Sequence, residues 1–387
     1  MKVAIIDDIA AHYRLLLFQK LSLQKDPEYF LFASERSHNG VSIIDTEFAE
    51  LPAVKGGINW TFIKNIVAFK IIFWQKGVFK IAARGDFDVY IFPGEFQILS
   101  TWLAIAICKI RNKKVVFWGH GSYGNEKNIK KYLRQLFNKL PDAYLLYNKR
   151  AKDLLIQQGI NGEKLFLINN SLNYDTHVKI RESITQDSMN SIRKNLSFKN
   201  KELPLVLFIG RFTKEKKIEQ LIRGIDILNK RDENVNCVLI GDGEQKDFLE
   251  NLVINLNLEN NISFYGPSYN EGVNGLLLSI ADCCVSPGNV GLNAIHSMTF
   301  GTPVITHNDS SSQGPEVSSV IENFTGELFE KNNLDDLVDK IQKIVFVKGK
   351  KHYRNNCLKI VDDSYNPTYQ VKVFNKLIQY LTVKETS

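Results

Sequence analysis

The chain has 387 residues, which is too long for one ordinary domain and suits two domains of roughly 150 to 200 residues. Hydrophobic residues make up 44% of it and charged residues 24%, a balance typical of a soluble globular protein. The formal net charge of +7 is modest and no recognised nucleic-acid-binding motif accompanies it, so nucleic acid is not an expected partner.

The first residues form a short apolar run that meets acidic residues at Asp7 and Asp8, unlike a secretory signal. No stretch reaches the roughly 18 to 20 apolar residues that a membrane span needs. The five cysteines show no Cys-x-x-Cys spacing, which favours buried free thiols in a reducing compartment. We therefore expect a cytoplasmic protein, either free or peripheral on the inner face of the cell membrane.

Short apolar runs alternate with amphipathic stretches along the chain. The runs predict buried β-strands at 3–6, 89–92, 115–118, 143–147, 205–210, 235–241, 283–286 and 303–306. The stretches between them predict helices, such as 218–229 and 245–255. Continuous apolar strands that alternate with helices predict an α/β protein whose parallel sheets are covered on both faces.

A polar segment at 173–202, rich in Ser, Asn and Lys, separates two such series of strands and helices. This places a domain boundary near residue 175, with domains at 1–175 and 176–366. An amphipathic helix is predicted at 369–381, within a last segment of 367–387. Two doubly wound domains of this kind bind ligand in the cleft between the carboxyl ends of their strands.

The segment 61–84 contains five basic residues and no acid, interleaved with five aromatic residues. Its spacing predicts a helix that either lies on an anionic membrane surface or packs its aromatic face into the protein's own core. A second basic run at 127–139 lies in the same half of the chain and favours the membrane interpretation.

Two pairs of acids are poor candidates for a metal site. Asp86 and Asp88 precede the predicted strand 89–92, whereas metal-binding acids are expected after a strand. Asp7 and Asp8 do follow a strand, but adjacent side chains of an extended chain point to opposite sides.

The strand 205–210 is followed by Arg211, Lys214, Lys216 and Lys217, with one acid among them, and then by a helix. Cations at the carboxyl end of a strand suit a diphosphate, because Arg offers a planar fork of donors and Lys a mobile charge. A solvated surface loop is the alternative. The segment 284–305 then predicts a strand end, a Gly-rich turn, a short helix and a Gly-x-Pro turn, a layout that points backbone N–H groups at one place.

Taken together, these motifs resemble the C-terminal half of the retaining glycosyltransferases of family 4. The resemblance rests on Arg211-x4-Lys216, the segments 238–244, 262–266 and 281–305, Pro315-Glu316 and 325–328, and it covers roughly 204–342 closely. It implies the GT-B fold, in which two Rossmann-like domains face each other across a cleft and the last helix returns to the N-terminal domain. The N-terminal half matches more loosely, through its first strand, the segment 88–91 and the segment 115–121.

The resemblance also implies roles for individual residues. Arg211 and Lys216 would bind the donor's diphosphate and replace a divalent metal, and His120 would lie near the donor sugar as a third catalytic residue. The implied donor-binding residues are Gly241, Gly243, Tyr265, Gly288, Asn289, Val290, Gly291, Leu292, His296 and Glu316. No metal or separate cofactor is expected, and Tyr13 and Arg14 are candidates for the acceptor side.

The chain departs from the family pattern at both glutamates of the Glu-x7-Glu motif. Gly288 stands at the first position and His296 at the second, so the spacing is kept and the acids are lost. We expect sugar contacts from backbone N–H groups and the Asn289 amide, and a ribose contact from His296.

The expected activity is transfer of one sugar from a UDP-, GDP- or dTDP-linked donor to a surface glycan, lipid-linked at an anionic membrane, with retention of configuration. Two alternatives remain open. One is a nucleotide-sugar epimerase of the same fold, and the other is a catalytically degenerate copy that binds another transferase. The sequence does not determine the donor sugar, the base, the acceptor, the linkage or the oligomeric state.

Overall fold

The computed structural model describes residues 1–37, 40–68, 72–124 and 128–383. Its strands, in chain order, are β1 Lys2–Ile9, β2 Glu28–Ser34, β3 Trp60–Phe62, β4 Lys64–Ala68, β5 Ile72–Lys76, β6 Val89–Pro93, β7 Lys114–Gly119, β8 Ala143–Leu146, β9 Leu165–Leu167, β10 Leu205–Ile209, β11 Asn236–Ile240, β12 Ile262–Gly266, β13 Cys283–Ser286, β14 Val304–His307 and β15 Gly326–Phe329.

The α-helices, in chain order, are α1 Leu15–Ser22, α2 Glu47–Glu50, α3 Val78–Arg84, α4 Leu99–Ile110, α5 Asn128–Phe137, α6 Lys149–Gln157, α7 Tyr174–Ser183, α8 Gln186–Asn195, α9 Ile218–Lys230, α10 Lys246–Asn255, α11 Glu271–Ile280, α12 Asn293–Thr299, α13 Leu334–Gln342, α14 Lys350–Ser364 and α15 Pro367–Val383. Short 3₁₀ turns and one π-helical segment, Lys343–Lys348, complete the described structure.

The chain divides into two compact units. The first contains Met1–Asn173 together with Asn366–Ser387, and the second contains Tyr174–Tyr365. The polar segment that precedes Leu205 is not an extended linker, because it folds into α7 and α8 of the second unit.

The first unit is built on a seven-stranded sheet in the order β3-β2-β1-β6-β7-β8-β9, and its neighbouring strands are parallel. β6, β7 and β8 bury nearly all of their residues and β1 buries five of its eight, as expected of parallel strands covered on both faces. The helix α15 packs on one face of this sheet, where Phe374 makes edge contacts with Tyr29 and Trp118 at centroid distances of 5.6 and 5.5 Å.

The second unit is built on a six-stranded parallel sheet in the order β12-β11-β10-β13-β14-β15. In each sheet the strand order reverses once: between β1 and β6 in the first, and between β10 and β13 in the second. The carboxyl ends of parallel strands leave a crevice at such a reversal, because the crossover helices on its two sides lie on opposite faces. The predicted α/β fold with doubly wound parallel sheets is confirmed.

The helix predicted across the basic-aromatic segment is wrong for most of its length. Residues 64–68 and 72–76 pair instead as an antiparallel β4-β5 hairpin, and only Val78–Arg84 is helical. β-branched and aromatic residues dominate the paired part, a composition that stabilises strands more than helices. Phe69 and Lys70 of this segment, Lys127 of the second basic run, and residues 384–387 of the predicted last segment lie outside the described residues.

All five cysteines are buried and free, as the sequence predicts. In the described part of the chain, no helix combines the length and apolar character needed to cross a bilayer.

Candidate functional sites

The strand reversal of the second unit brings together the segments that the sequence singles out. β10 ends at Ile209 and leads into Arg211, while its neighbour β13 ends at Ser286 and leads into Gly288 and Asn289. Both segments therefore leave the sheet at the same edge and next to each other. This is the place where a ligand is expected in an open parallel sheet.

Lys216 ties the two segments together. Its Nζ donates to the carbonyl of Asn289 at 2.6 Å, and its own carbonyl accepts from the N–H of Gly288 at 3.1 Å. Burial and the neighbouring Arg211 lower the pKa of Lys216, against the opposing effects of Glu316 and Glu215. Arg211 and Lys216 lie close enough for their positive charges to repel each other, so a bound anion would stabilise both.

Gly288 is a glycine for a steric reason. A Cβ at this position would lie 1.9 Å from the carbonyl oxygen of Glu215 and 2.8 Å from the Cα of Lys216. No side chain is compatible with that backbone approach, so the first glutamate of the motif is excluded by the Lys216 segment. The N–H of Gly288 already donates to the carbonyl of Lys216, so the sugar contact expected of this N–H stays a prediction and would require that hydrogen bond to break.

The turn after Gly288 is held by Gln313, whose Oε1 accepts from the N–H of Val290 at 2.9 Å. Gly291 adopts a left-handed conformation, with φ of +53°, and Leu292 directly precedes α12. The left-handed region is accessible to glycine without steric cost, which explains the residue type at this turn.

The side chains of Asn289 and Glu316 both lie close to Gly314. A Cβ built on Gly314 would be 3.5 Å from Asn289 Oδ1 and 2.7 Å from Glu316 Oε2. Glu316 is 5% exposed, in the 3₁₀ turn Pro315–Ser319. The structure thus brings Lys216, Asn289 and Glu316 into one polar cluster.

Gly241 and Gly243 allow β10 and β11 to end in close contact. A Cβ on Gly241 would lie 1.9 Å from the Gly210 carbonyl oxygen, and one on Gly243 would lie 2.6 Å from that of Phe212. Gly241 lines a cavity of about 190 Å³ at the carboxyl ends of β10, β11 and β12. Arg211 is another lining residue, so this cavity adjoins the cationic segment.

Tyr265 lies on β12 and is not among the residues that line this cavity. The aromatic residue that lines this cavity is Tyr269, which is not among the predicted donor-binding residues. Tyr269 is 94% exposed, and its position could not be predicted from a motif because it belongs to the loop between β12 and α11.

His296 is turned toward two other helices. Its ring stacks on that of His177, and its Nε2 lies 3.0 Å from Oε2 of Glu271. Burial would raise the pKa of Glu271, but His177 and His296 together hold it well below its usual value. Nε2 of His296 therefore faces Glu271 inside the second unit, and the ribose contact expected of His296 stays a prediction.

The first unit has its own polar cavity, of about 480 Å³, at the carboxyl ends of its central strands. It contains the predicted residues Tyr13, Arg14 and His120 and also the two acids Asp7 and Asp8. Arg14 forms an ion pair with Asp7 at 2.5 Å, donates to the hydroxyl of Tyr147, and lies 4.5 Å above the Trp118 ring. These three contacts fix the guanidinium in place.

Asp7 and Asp8 both line this cavity, although adjacent strand residues are expected to point apart. The pairing of β1 with β2 shifts between Ile6 and Ile9, an irregularity that redirects side chains at a strand end. Asp8 accepts a hydrogen bond from Asn65 Nδ2 at 2.6 Å. Burial, and then repulsion from Asp7, raise the pKa of Asp8 to about 7.

His120 follows β7 and packs against the rings of Tyr123 and Tyr147 at 5.3 and 5.0 Å. Burial, reinforced by Arg14 and Arg134, lowers its pKa to about 4. The imidazole is therefore neutral at physiological pH. Gly121 beside it has φ of +63°, and a Cβ there would meet Leu146 and Leu155 at 3.0 Å.

The other acidic pair has a structural role. Asp88 accepts from the N–H of Lys2 at 2.9 Å, and Asp86 pairs with the Lys2 side chain at 3.4 Å. Both precede β6, so they lie at the end of the sheet opposite to the cavity.

Comparison with known proteins agrees with this geometry. Residues 190–356 match the family model described as glycosyl transferases group 1. An uncharacterized glycosyltransferase of Methanocaldococcus jannaschii is 28% identical over 211 residues, which cover 53% of this chain and 51% of that protein. An alpha-monoglucosyldiacylglycerol synthase of Acholeplasma laidlawii is 23% identical over 265 residues, 64% of this chain and 65% of the relative. The matches thus span between about half and two thirds of these relatives.

Among solved structures, HepE of Anabaena in complex with UDP superposes with a TM-score of 0.72 at 15% identity, over 99% of this chain and all of that one. The same protein has also been solved with UDP-glucose. A likeness at this level of identity establishes the fold. The predicted resemblance to GT-B glycosyltransferases is confirmed.

Proposed function

From the GT-B fold and the family match, we propose that this protein is a retaining glycosyltransferase that uses a nucleoside-diphosphate sugar and needs no metal at the diphosphate. The observation that carries the proposal is the cationic segment at the strand reversal, where Arg211 and the anchored Lys216 meet the turn 288–292. Fixed cations in a partly buried site stabilise charge that develops on a leaving group.

In the proposed reaction, the bond between the sugar's anomeric carbon and the diphosphate oxygen breaks, and the electron pair stays on the nucleoside diphosphate. The acceptor hydroxyl forms the new bond to the anomeric carbon on the same face. Its proton passes to an oxygen of the departing phosphate. Arg211 and Lys216 stabilise the leaving diphosphate, and the neutral His120 offers a hydrogen bond to the sugar.

The polar cavity of the first unit suits a hydroxyl-rich acceptor. Arg14 is a hydrogen-bond donor held in a fixed position there. Asp8 has a pKa near neutrality, so it accepts a hydrogen bond as a carboxylate and donates one as a carboxylic acid. Tyr13 lines the same cavity. We propose that this cavity binds the terminal sugar of the growing glycan.

A lipid-linked acceptor at an anionic membrane surface is the second part of the proposal. Exposed apolar side chains occur on the β4-β5 hairpin, where Val67 is 44% and Trp74 36% exposed, and on α5, where Ile129 and Tyr132 are 73% and 72% exposed. Lysines flank both groups, and apolar side chains beside cations suit an anionic bilayer surface. The named function of the Acholeplasma relative is consistent with a lipid acceptor.

A panel of UDP-, GDP- and dTDP-sugars tests the proposal on the full-length protein, with melting temperature, nucleotide release and product formation as readouts. A transferase gains stability from its donor and releases nucleotide when acceptor is added. An epimerase would convert a donor without acceptor. A degenerate copy would neither release nucleotide nor gain stability from any donor.

Two variants test the diphosphate assignment directly. Arg211→Ala and Lys216→Ala should each lower turnover by at least roughly 100-fold, the cost of removing one donor to a developing anion. Lys214→Ala is the matched control, because Lys214 is an exposed lysine of the same 3₁₀ turn. Near-normal turnover of both variants would refute the assignment.

A further inference from the structure

Three side chains from three different helices converge in the second unit. His177 lies on α7, Glu271 is the first residue of α11, and His296 lies on α12. Nε2 of His177 is 3.2 Å from Oε2 of Glu271, and Nε2 of His296 is 3.0 Å from the same oxygen. One ligand atom from each of the three side chains lies within 4.8 Å of the other two.

These atoms lie at hydrogen-bonding distance without forming hydrogen bonds. Within the part of the chain that the structure describes, the buried Oε2 of Glu271 and Nε2 of His296 have no hydrogen-bond partner. Since the distances are short enough, it is the direction of the bonds that fails. A buried polar atom without a hydrogen-bond partner lowers stability, so a fold that groups such atoms at one point requires an explanation.

The spacing of the atoms suits a bound cation. A divalent metal with ligands at about 2.0–2.2 Å places neighbouring ligand atoms about 3.0 to 3.5 Å apart, from octahedral to tetrahedral geometry. The separations of the two histidine Nε2 atoms from Glu271 Oε2, 3.0 and 3.2 Å, fall in this range, and the remaining histidine pair lies within 4.8 Å. The rings of His177 and His296 stack at 5.0 Å and both contact Phe300, which limits their reorientation.

We propose that His177, Glu271 and His296 bind one divalent transition-metal cation of the zinc class. Two imidazole nitrogens and one carboxylate oxygen form a donor set that Zn²⁺ prefers over Mg²⁺ or Ca²⁺, and they leave a fourth position for water or another ligand. The side chains of His177 and His296 are 5% and 11% exposed, whereas that of Glu271 is 42% exposed, so the cation enters from the Glu271 side.

The bound cation would fasten α7, α11 and α12 to one another. Because α12 follows the turn 288–292, this metal would stabilise the support of that turn and take no part in sugar transfer. The sequence predicts no metal, since no two histidines stand at His-x-x-x-His spacing. The three ligands are far apart along the chain, and only the fold brings them together.

The first test uses the full-length protein, freed of metal with a chelator and dialysed, with Zn²⁺ as the only addition. Calorimetry and elemental analysis should show one Zn²⁺ bound per chain, and the melting temperature should rise with Zn²⁺. Substitution with Co²⁺ should give the visible absorption of a low-coordinate cobalt site. Absence of Zn²⁺ uptake by the wild-type protein would overturn the proposal.

Variants then locate the cation. His177→Ala, Glu271→Gln and His296→Ala should each weaken Zn²⁺ binding by more than the roughly 10- to 100-fold lost when a partner that merely orients a ligand is removed. His352→Ala removes an exposed histidine of the same unit and should bind Zn²⁺ like the wild type.

Glu271→Gln keeps the size of the side chain, so it remains informative if a histidine variant fails to fold. Equal Zn²⁺ binding by wild type, Glu271→Gln and His296→Ala would place the cation elsewhere and overturn the assignment. None of these measurements needs a nucleotide or an acceptor, so they stand or fall independently of the proposed transferase activity.

Discussion

Restoring the first glutamate of the family motif, by the change Gly288→Glu, should weaken donor binding. In the structure a Cβ at this position lies 1.9 Å from the Glu215 carbonyl oxygen. That carbonyl would have to move by about 1 Å before even an alanine is accommodated. The movement separates Gly288 from Lys216, whose segment carries the cations of the proposed diphosphate site.

The magnitude follows from two hydrogen bonds. The neutral bond from Gly288 N–H to the Lys216 carbonyl contributes about 0.5–1.5 kcal/mol, and the charge-assisted bond from Lys216 Nζ to the Asn289 carbonyl about 1.5–3 kcal/mol. Loss of both corresponds to about 2–4.5 kcal/mol, which, carried fully into donor binding, is roughly 30- to 2,000-fold in Kd. Gly288→Ala should show most of this effect, because the clash begins at Cβ.

Calorimetric titration with the nucleotide found in the donor panel measures the effect, and a melting curve shows whether each variant is folded. Gly224→Ala is the control, since a Cβ at this helical glycine meets its nearest neighbour at 3.6 Å, an ordinary contact. Binding of nucleotide by Gly288→Glu as tight as that of the wild type would refute the steric role assigned to Gly288. Tighter binding would mean that the Lys216 segment moves freely and that the motif glutamate can be reinstated.

Two further results are expected. Because the pKa of Asp8 is raised to about 7 in the folded protein, its contribution to stability is complete below pH ~4 and is lost as the pH rises through 7. The melting temperature of Asp8→Asn should therefore be closer to that of the wild type, or above it, at pH 8, and should rise less on acidification. Parallel plots of melting temperature against pH for the two proteins, from pH 4 to 8, would contradict the raised pKa. The protein should bind vesicles containing anionic lipid at low salt and dissociate as salt is added. Replacing Trp74 and Tyr132 by Ser should weaken this binding, whereas replacing the exposed Phe248 of the second unit by Ser should not. Equal binding by all variants would refute the membrane surface proposed for the first unit.

The amino-acid sequence by itself was sufficient for the fold class. Every apolar run predicted as a buried strand is one, because the central strands of parallel sheets are covered on both faces and leave an uninterrupted apolar signal. The β4-β5 hairpin was missed, since its exposed aromatic and basic residues carry no burial pattern and imitate helical spacing. The family motifs were recognisable for a related reason: each is one continuous stretch of the chain.

Tertiary structure alone decided which residues the members of those motifs contact. Gly288 is required by a backbone segment 72 residues earlier in the chain, and Asp7 and Asp8 share a cavity through an irregularity of strand pairing. His296 meets His177 and Glu271 through the packing of three helices. Periodicity and spacing report the environment of a residue along its own strand or helix. Close approach between distant segments depends on how the elements pack, and in this protein that packing determines which polar atoms remain available to a ligand.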